Sequence, residues 1–192
     1  MSVVFDAVVL AGGQGSRMGG VSKADLQIGG RRLLDRVLAA CAGAGVVVVV
    51  GDVEVPDGVV LTREDPPGTG PAAGLQAGLL ASGGQPWTLV LACDLPGATD
   101  AVPTLLTAAE AARPDADGVC LARPDGGTEW LCALYRTPAL GRAFDAYGDP
   151  RNRSVRGLIG LLSVDTVPGP AGSGDDVDTW EDHDRWNRSE KA

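Results

Sequence analysis

An apolar run from Val3 to Leu10 breaks directly into a glycine-rich stretch that carries one arginine and one lysine, Ala11-Gly12-Gly13-Gln14-Gly15-Ser16-Arg17-Met18-Gly19-Gly20-Val21-Ser22-Lys23, and a helical pattern begins only near Arg31. The run reads as a buried parallel strand. Glycines let backbone N–H groups turn inward and approach a ligand closely, because no Cβ stands in the way. Arg17 and Lys23 add fixed positive charge. The combination describes an anion cradle at the carboxyl end of a first strand, where open α/β sheets bind ligands. A strand-to-helix turn with two surface cations is the plainer account of the same residues.

The loop is neither of the two common phosphate loops. Gly15 to Gly20 has the Walker spacing, but Val21 and Ser22 intervene before Lys23. A dinucleotide fingerprint needs a small residue three places after Gly15, where Met18 stands. The order Leu10-Ala11-Gly12-Gly13-x-Gly15-x-Arg17-Met18-Gly19, followed by Lys23, resembles instead the opening signature of nucleotidyltransferases that join a nucleoside triphosphate to a phosphorylated small molecule. Among them it is most similar to the molybdenum cofactor guanylyltransferases. The resemblance implies a Rossmann-like nucleotidyltransferase fold. It also implies a triphosphate wrapped by Leu10, Ala11, Gly12, Gly13, Gly15, Ser16, Arg17 and Lys23, with Arg17 and Lys23 in catalytic roles. Relatives using CTP tend to show Leu-Ala-Ala-Gly here, so Gly12 points toward GTP. Ser22 departs from the Asp that many guanylyltransferases have.

Along the chain, Leu33, Leu34, Val37, Leu38 and Cys41 recur at helical spacing and predict a helix from about Arg31 to Ala44. Val46 to Val50 predicts a strand buried on both faces, and Val59 to Leu61 another short strand. Arg63 to Gly70 is a loop, with Pro71 suited to the first turn of a helix over about Ala72 to Ala81. Strands are expected at Trp87–Ala92, Gly118–Ala122, Leu131–Tyr135 and Ser163–Val167. Helices are expected at about Ala101–Ala112, Pro138–Ala146 and Ser154–Leu162. Thr179, with Asp182 three places on, reads as the N-cap of a closing helix. Strands alternating with helices argue an α/β fold, a three-layer arrangement around a mostly parallel sheet. With no internal repeat and no long linker, the 192 residues read as a single domain, 1–192.

The formal charge is −9, from 25 acids against 16 bases, which disfavours nucleic acid and anionic membranes as general partners. An anionic substrate then needs local cations or a metal ion. No apolar run approaches the ~20 residues of a membrane span. The N-terminus lacks a basic segment followed by a cleavable apolar one, so a cytoplasmic protein is expected. Cys41, Cys93, Cys120 and Cys132 each sit in an apolar stretch without Cys-x-x-Cys pairing and read as buried free thiols. His183 lies in a charged segment without a histidine or cysteine near it, which gives a zinc site little support.

Asp94 ends a run of apolar strand, in Ala-Cys-Asp-Leu-Pro. It either caps the helix after Pro96 or offers a carboxylate to a hard cation at the crevice. The resemblance implies the second: Asp94 as a ligand of Mg²⁺ and a catalytic residue. Residues 64–75, Glu-Asp-Pro-Pro-Gly-Thr-Gly-Pro-Ala-Ala-Gly-Leu, would by themselves be a surface loop leading into a helix. They resemble the family's second nucleotide segment, which implies that Asp65 contacts the nucleoside and that Gly70, Pro71 and Gly74 shape its pocket. The acids of Asp175-Asp176-Val177-Asp178-Thr179 suit a helix's first turn without any ligand. By resemblance Asp178, with Asp176 second, faces the metal from the far side. Arg151, Arg153 and Arg156 form a basic knot, either a solvated helix face or a site for the acceptor's phosphate, with Arg153 and Arg156 as its candidates.

The resemblance implies an enzyme that moves GMP from GTP to the phosphate of molybdopterin and releases pyrophosphate. Mg²⁺ would be its cofactor, small molecules its only partners, and a monomer or weak oligomer its state. A cytidylyltransferase or sugar-phosphate nucleotidyltransferase on the same scaffold is the first alternative, since specificity lives in the site. A nucleotide-binding module without catalysis is the second, and the presence of both Lys23 and Asp94 argues against it.

Overall fold

The structure, a computed structural model, describes residues 2–12, 14–15, 18–123 and 127–190. In chain order the elements are β1 (Phe5–Leu10), β2 (Gln14–Gly15), β3 (Val21–Ser22), β4 (Gln27–Ile28), β5 (Arg31–Arg32), α1 (Leu33–Ala40), β6 (Val47–Val50), β7 (Val60–Thr62) and α2 (Pro71–Ala81). There follow β8 (Trp87–Ala92), α3 (Ala98–Ala111), β9 (Gly118–Ala122), β10 (Thr128–Arg136), α4 (Thr137–Tyr147), α5 (Val155–Ile159), β11 (Val164–Pro168) and α6 (Trp180–Ser189). Seven strands form one sheet in the order β11-β9-β10-β8-β1-β6-β7. Every neighbouring pair is parallel except those made by β10, which runs against both β8 and β9.

Alternation along the strands supplies two core faces. On β1, Ala7 and Val9 face α1 and α3, packing with Leu34, Val37, Leu91 and Leu105. Val8 and Leu10 face α2, α4 and α5, packing with Val50, Leu75, Val90, Leu140 and Leu158. The expected three layers follow from this. Asp6, the one charged residue of β1, is buried, and its carboxylate accepts the Val46 N–H at 2.9 Å and the Gln85 N–H at 3.0 Å. It thereby fastens the entries of the two flanking strands to the first. All four cysteines are buried and unpaired, and burial pushes each thiol up to about 12. Among the described residues no helix is long and apolar enough to cross a membrane.

Helix α2 lies so close to the sheet that a Cβ at Gly78 would come within 2.4 Å of Val8 Cγ1 and 2.9 Å of Val50 Cγ2. Both valines are buried in central strands and have short side chains with nowhere to retreat. Gly78→Ala is therefore expected to lower stability by about 1–2 kcal/mol, overpacking outweighing the helix propensity that alanine adds. A urea midpoint at or above that of the wild type would contradict this packing.

Several boundaries differ from expectation. The first helix starts at Leu33 rather than Arg31, because Arg31–Arg32 pair with Gln27–Ile28 as a hairpin. Gly29 and Gly30 take φ of 58° and 77° in its two-residue turn, the positive pair that such a turn requires. A second hairpin, β2 with β3, folds the glycine loop back on itself. Strand β10 begins at Thr128, earlier than Leu131, and α3 begins at Ala98 rather than Ala101. Helix α5 stops at Ile159, with Gly160 as its C-cap, short of the expected Leu162. The closing helix has the expected capping box: Thr179 accepts the Asp182 N–H, and the Asp182 carboxylate accepts the Thr179 N–H.

Candidate active site

The carboxyl ends of β1, β6 and β8 open onto a hollow of about 840 Å³. Its floor comes from Leu10, Ala11 and Gly12 after β1, Val50 and Gly51 after β6, and Cys93, Asp94 and Leu95 after β8. Main-chain bonds set these ends level: Ala11 N–H donates to Val50 O at 2.8 Å, and Cys93 N–H donates to Leu10 O at 3.0 Å.

Lys23 enters from one wall. It opens a short 3-10 helix, Lys23–Asp25, whose Ala24 is buried in the core. Beside that turn a small apolar cluster packs Met18, Leu26, Ile28 and Leu33 against Val177 from the far end of the chain. Val177 is fully buried, and its N–H donates to the backbone oxygen of Asp94 at 3.0 Å. Gly97 lets this C-terminal loop settle against the start of α3, since a Cβ there would meet Ser173 Cα at 2.7 Å. Burial of Val177 thus carries its neighbours Asp176 and Asp178 to the site across most of the sequence.

The outcome is an ion-paired centre. Lys23 Nζ donates to Asp94 Oδ2 at 2.7 Å and also to Asp178 Oδ1. Burial works against the charged ammonium, but hydrogen bonds to Asp178 and Asp94, with their charges, outweigh it and hold Lys23 above the ordinary lysine range. Asp176, on the hollow's wall, is raised above the usual carboxylate range by burial and by the charges of Asp178 and Asp94. Glu129, which also lines the hollow, is raised too, chiefly by burial, with Asp176 and Asp94 adding and Arg123 and the Leu131 backbone opposing.

Among the described residues no three His, Cys, Asp or Glu side chains form a ready metal cage. A small hard cation needs no such cage, because it takes one or two carboxylates and completes its shell with water and substrate phosphate oxygens. Asp94 and Asp178 fit that demand. Lys23 holds positive charge between them, which shows that this point accepts a cation. The arrangement can therefore hold a cation and an anionic chain side by side.

Of the other residues singled out from the sequence, Gly70, Pro71 and Gly74 line the hollow's β6–β7 side. Gly70 has φ 97° at the N-cap of α2, a conformation that excludes most side chains. Gly15 pairs with Val21 in the β2–β3 hairpin. Gly13, Ser16 and Arg17 lie outside the described residues. Asp65 is placed otherwise than expected. It is exposed and faces an adjoining recess of about 590 Å³, with Arg63, Gln76, Asp149 and Arg151. Its neighbour Glu64 reaches the main hollow and accepts the Gly68 N–H at 2.8 Å.

Arg153 and Arg156 do not line the hollow either. Arg153 stacks over the Tyr147 ring at 3.5 Å and donates to the Tyr147 carbonyl, so its guanidinium is engaged by that residue. Arg156 is exposed on α5. This segment braces the turn before α2 through its backbone, with Asn152 N–H donating to Thr69 O at 2.6 Å. His183 contacts Gln27 O at 2.9 Å and joins α6 to the β4–β5 hairpin. The wall residues Glu64 and Glu129 are functional candidates that the sequence patterns did not single out.

Comparison with known proteins shows the family and agrees with the fold. Residues 7–163 match the family of the MobA-like NTP transferase domain. The sequence is 36% identical over 170 residues to a molybdenum cofactor guanylyltransferase of Acidiphilium cryptum (strain JF-5), with 82% of each chain covered. A nucleotidyl transferase from Methanothermobacter thermautotroptrophicus shares the fold with a TM-score of 0.77 at 23% identity, over 98% of both chains. Molybdopterin-guanine dinucleotide biosynthesis protein A from Archaeoglobus fulgidus does so with a TM-score of 0.72 at 22% identity, over 96% of this chain and 97% of that one.

Proposed function

The chain belongs to the MobA-like NTP transferases and is a nucleotidyltransferase of the molybdenum cofactor guanylyltransferase kind, and from that premise we propose that it moves GMP from GTP to the phosphate of molybdopterin, with Mg²⁺ as cofactor. One observation carries the reading: Lys23 and Asp94, drawn from different loops, meet in one hollow, and Asp178 pairs with the same ammonium.

An oxygen of the acceptor phosphate bonds to the α-phosphorus of GTP. The bond from that phosphorus to the bridging oxygen of the β-phosphate breaks, and pyrophosphate leaves with the electron pair. The acceptor phosphate is already a nucleophile, so no general base is needed. The protein's task is positioning and charge neutralisation, which supply most of the rate in such transfers. The backbone around Gly12 and the Lys23 ammonium hold the departing phosphates, with Arg17 joining them by its place in the motif. Gly70, Pro71, Gly74 and Glu64 hold the nucleoside end, and Asp94 and Asp178 hold the metal. Bound Mg²⁺ would neutralise triphosphate charge and polarise the α-phosphate.

Pyrophosphate release measured across the four ribonucleoside triphosphates, with and without molybdopterin, tests this. Release is expected with GTP only when molybdopterin is present. Release with CTP instead would make the chain a cytidylyltransferase. Triphosphate binding without release under any pairing would remove the catalytic reading.

A further inference from the structure

We propose that Glu129 reads the heterocycle of the acceptor, its carboxylate accepting the two neighbouring N–H donors of a pterin's amino–amide edge. This rests on the guanylyl-transfer reading above. The hollow extends to both sides of the Lys23–Asp94 pair. Toward β7 it is walled by Arg63, Glu64, Gly70 and Pro71, the nucleoside side. Toward β10 it is walled by Glu129 and Leu131.

Strand β10 runs opposite to β8, so its first residues, not its last, reach the crevice beside Asp94. Its register against β9 shifts between Glu129 and Ala133, the kind of irregularity that re-aims side chains beside a site. The Glu129 side chain is 20% exposed, and its ion pair with Arg123 is long, at 3.9 Å, beyond hydrogen-bond reach. With the Leu131 N–H taking one acceptor position, its two carboxylate oxygens keep others for further donors. Leu131, Leu95 and Cys93 supply apolar surface next to it. A carboxylate there repels phosphate, but with an apolar wall it suits the edge of a flat ring whose amino and ring N–H groups point the same way, a charge-assisted paired contact.

Guanine carries the same kind of edge, and kinetics separate the two rings. The test uses the full chain with GTP and molybdopterin, comparing wild type with Glu129→Gln, which keeps size and replaces one acceptor oxygen by a donor. The KM for molybdopterin is expected to rise about tenfold to a hundredfold, with the KM for GTP and the melting temperature unchanged. Fluorescence titration with free pterin, which lacks the phosphate, should show weaker binding to the variant. If the variant does not fold, Glu129→Asp serves with the same readouts. A rise in the KM for GTP instead would assign Glu129 to guanine and overturn the proposal. So would unchanged constants for both substrates, while wild-type turnover left the guanylyl-transfer reading standing. A wild type that turns over no GTP with molybdopterin would remove both.

Discussion

Lys23→Ala is expected to lower turnover about 10²–10³-fold, the loss seen when one preorganised charge donor is removed from a transition state. The fold should survive, because Lys23 contributes to the site through its ammonium while the neighbouring Ala24 is the buried residue of that turn. The same change has a second consequence, of opposite sign. Lys23 Nζ pairs with both Asp94 and Asp178 and offsets part of their negative charge. Without it, two carboxylates face each other with no cation between them, which favours a divalent ion. Mn²⁺ binding followed by electron paramagnetic resonance without nucleotide should therefore be tighter in the variant than in the wild type. Near-normal turnover would remove the phosphate role of Lys23. Unchanged Mn²⁺ affinity would separate that residue from the metal's place.

Asp94→Asn should cost about 10³-fold in turnover, the scale expected when a metal contributing several kcal/mol of charge stabilisation is no longer held. The substitution keeps the shape of the side chain, and the Val177 N–H bonds to the backbone oxygen of residue 94, so the C-terminal loop should stay in place. Near-UV circular dichroism should match the wild type. The decisive measurement is turnover against Mg²⁺ concentration. A variant that keeps the wild-type Mg²⁺ dependence would exclude Asp94 as a ligand.

The parts of this architecture set by local chemistry could be read from the chain. Trp87–Ala92, apolar but for Thr88, and Gly118–Ala122 form strands with the expected bounds. Thr179 and Asp182 stand at capping-box spacing and make that box. Lys23 and Asp94 each end a recognisable motif, and they meet. What could not be read depends on distant partners. The β2–β3 and β4–β5 hairpins are too short to leave a periodic pattern, and Met18 and Ile28 sit there because Val177 closes over them. The glycine pair at 29–30 was a usable hairpin signal, masked by the helical spacing that follows it. Glu129 belongs to a strand longer than its apolar part, and its position follows from the reversal of β10. The choice of Glu64 over Asp65 for the hollow, and of Tyr147 as the seat of Arg153, is made by loop geometry that no spacing encodes.

The four interior sulfurs have a practical side. A thiol held at about 12 carries a thiolate fraction of roughly 10⁻⁵ at neutral pH, and it is the thiolate that maleimides and iodoacetamide attack. The folded wild-type chain is thus nearly silent to such reagents without any cysteine being mutated away. One reporter dye can then be attached selectively, for instance through Leu80→Cys on α2, where the native side chain is 81% exposed. That helix begins at Pro71, capped by Gly70, and both residues line the hollow, so the dye would sit on an element in contact with the proposed nucleoside site and could report the arrival of nucleotide in real time.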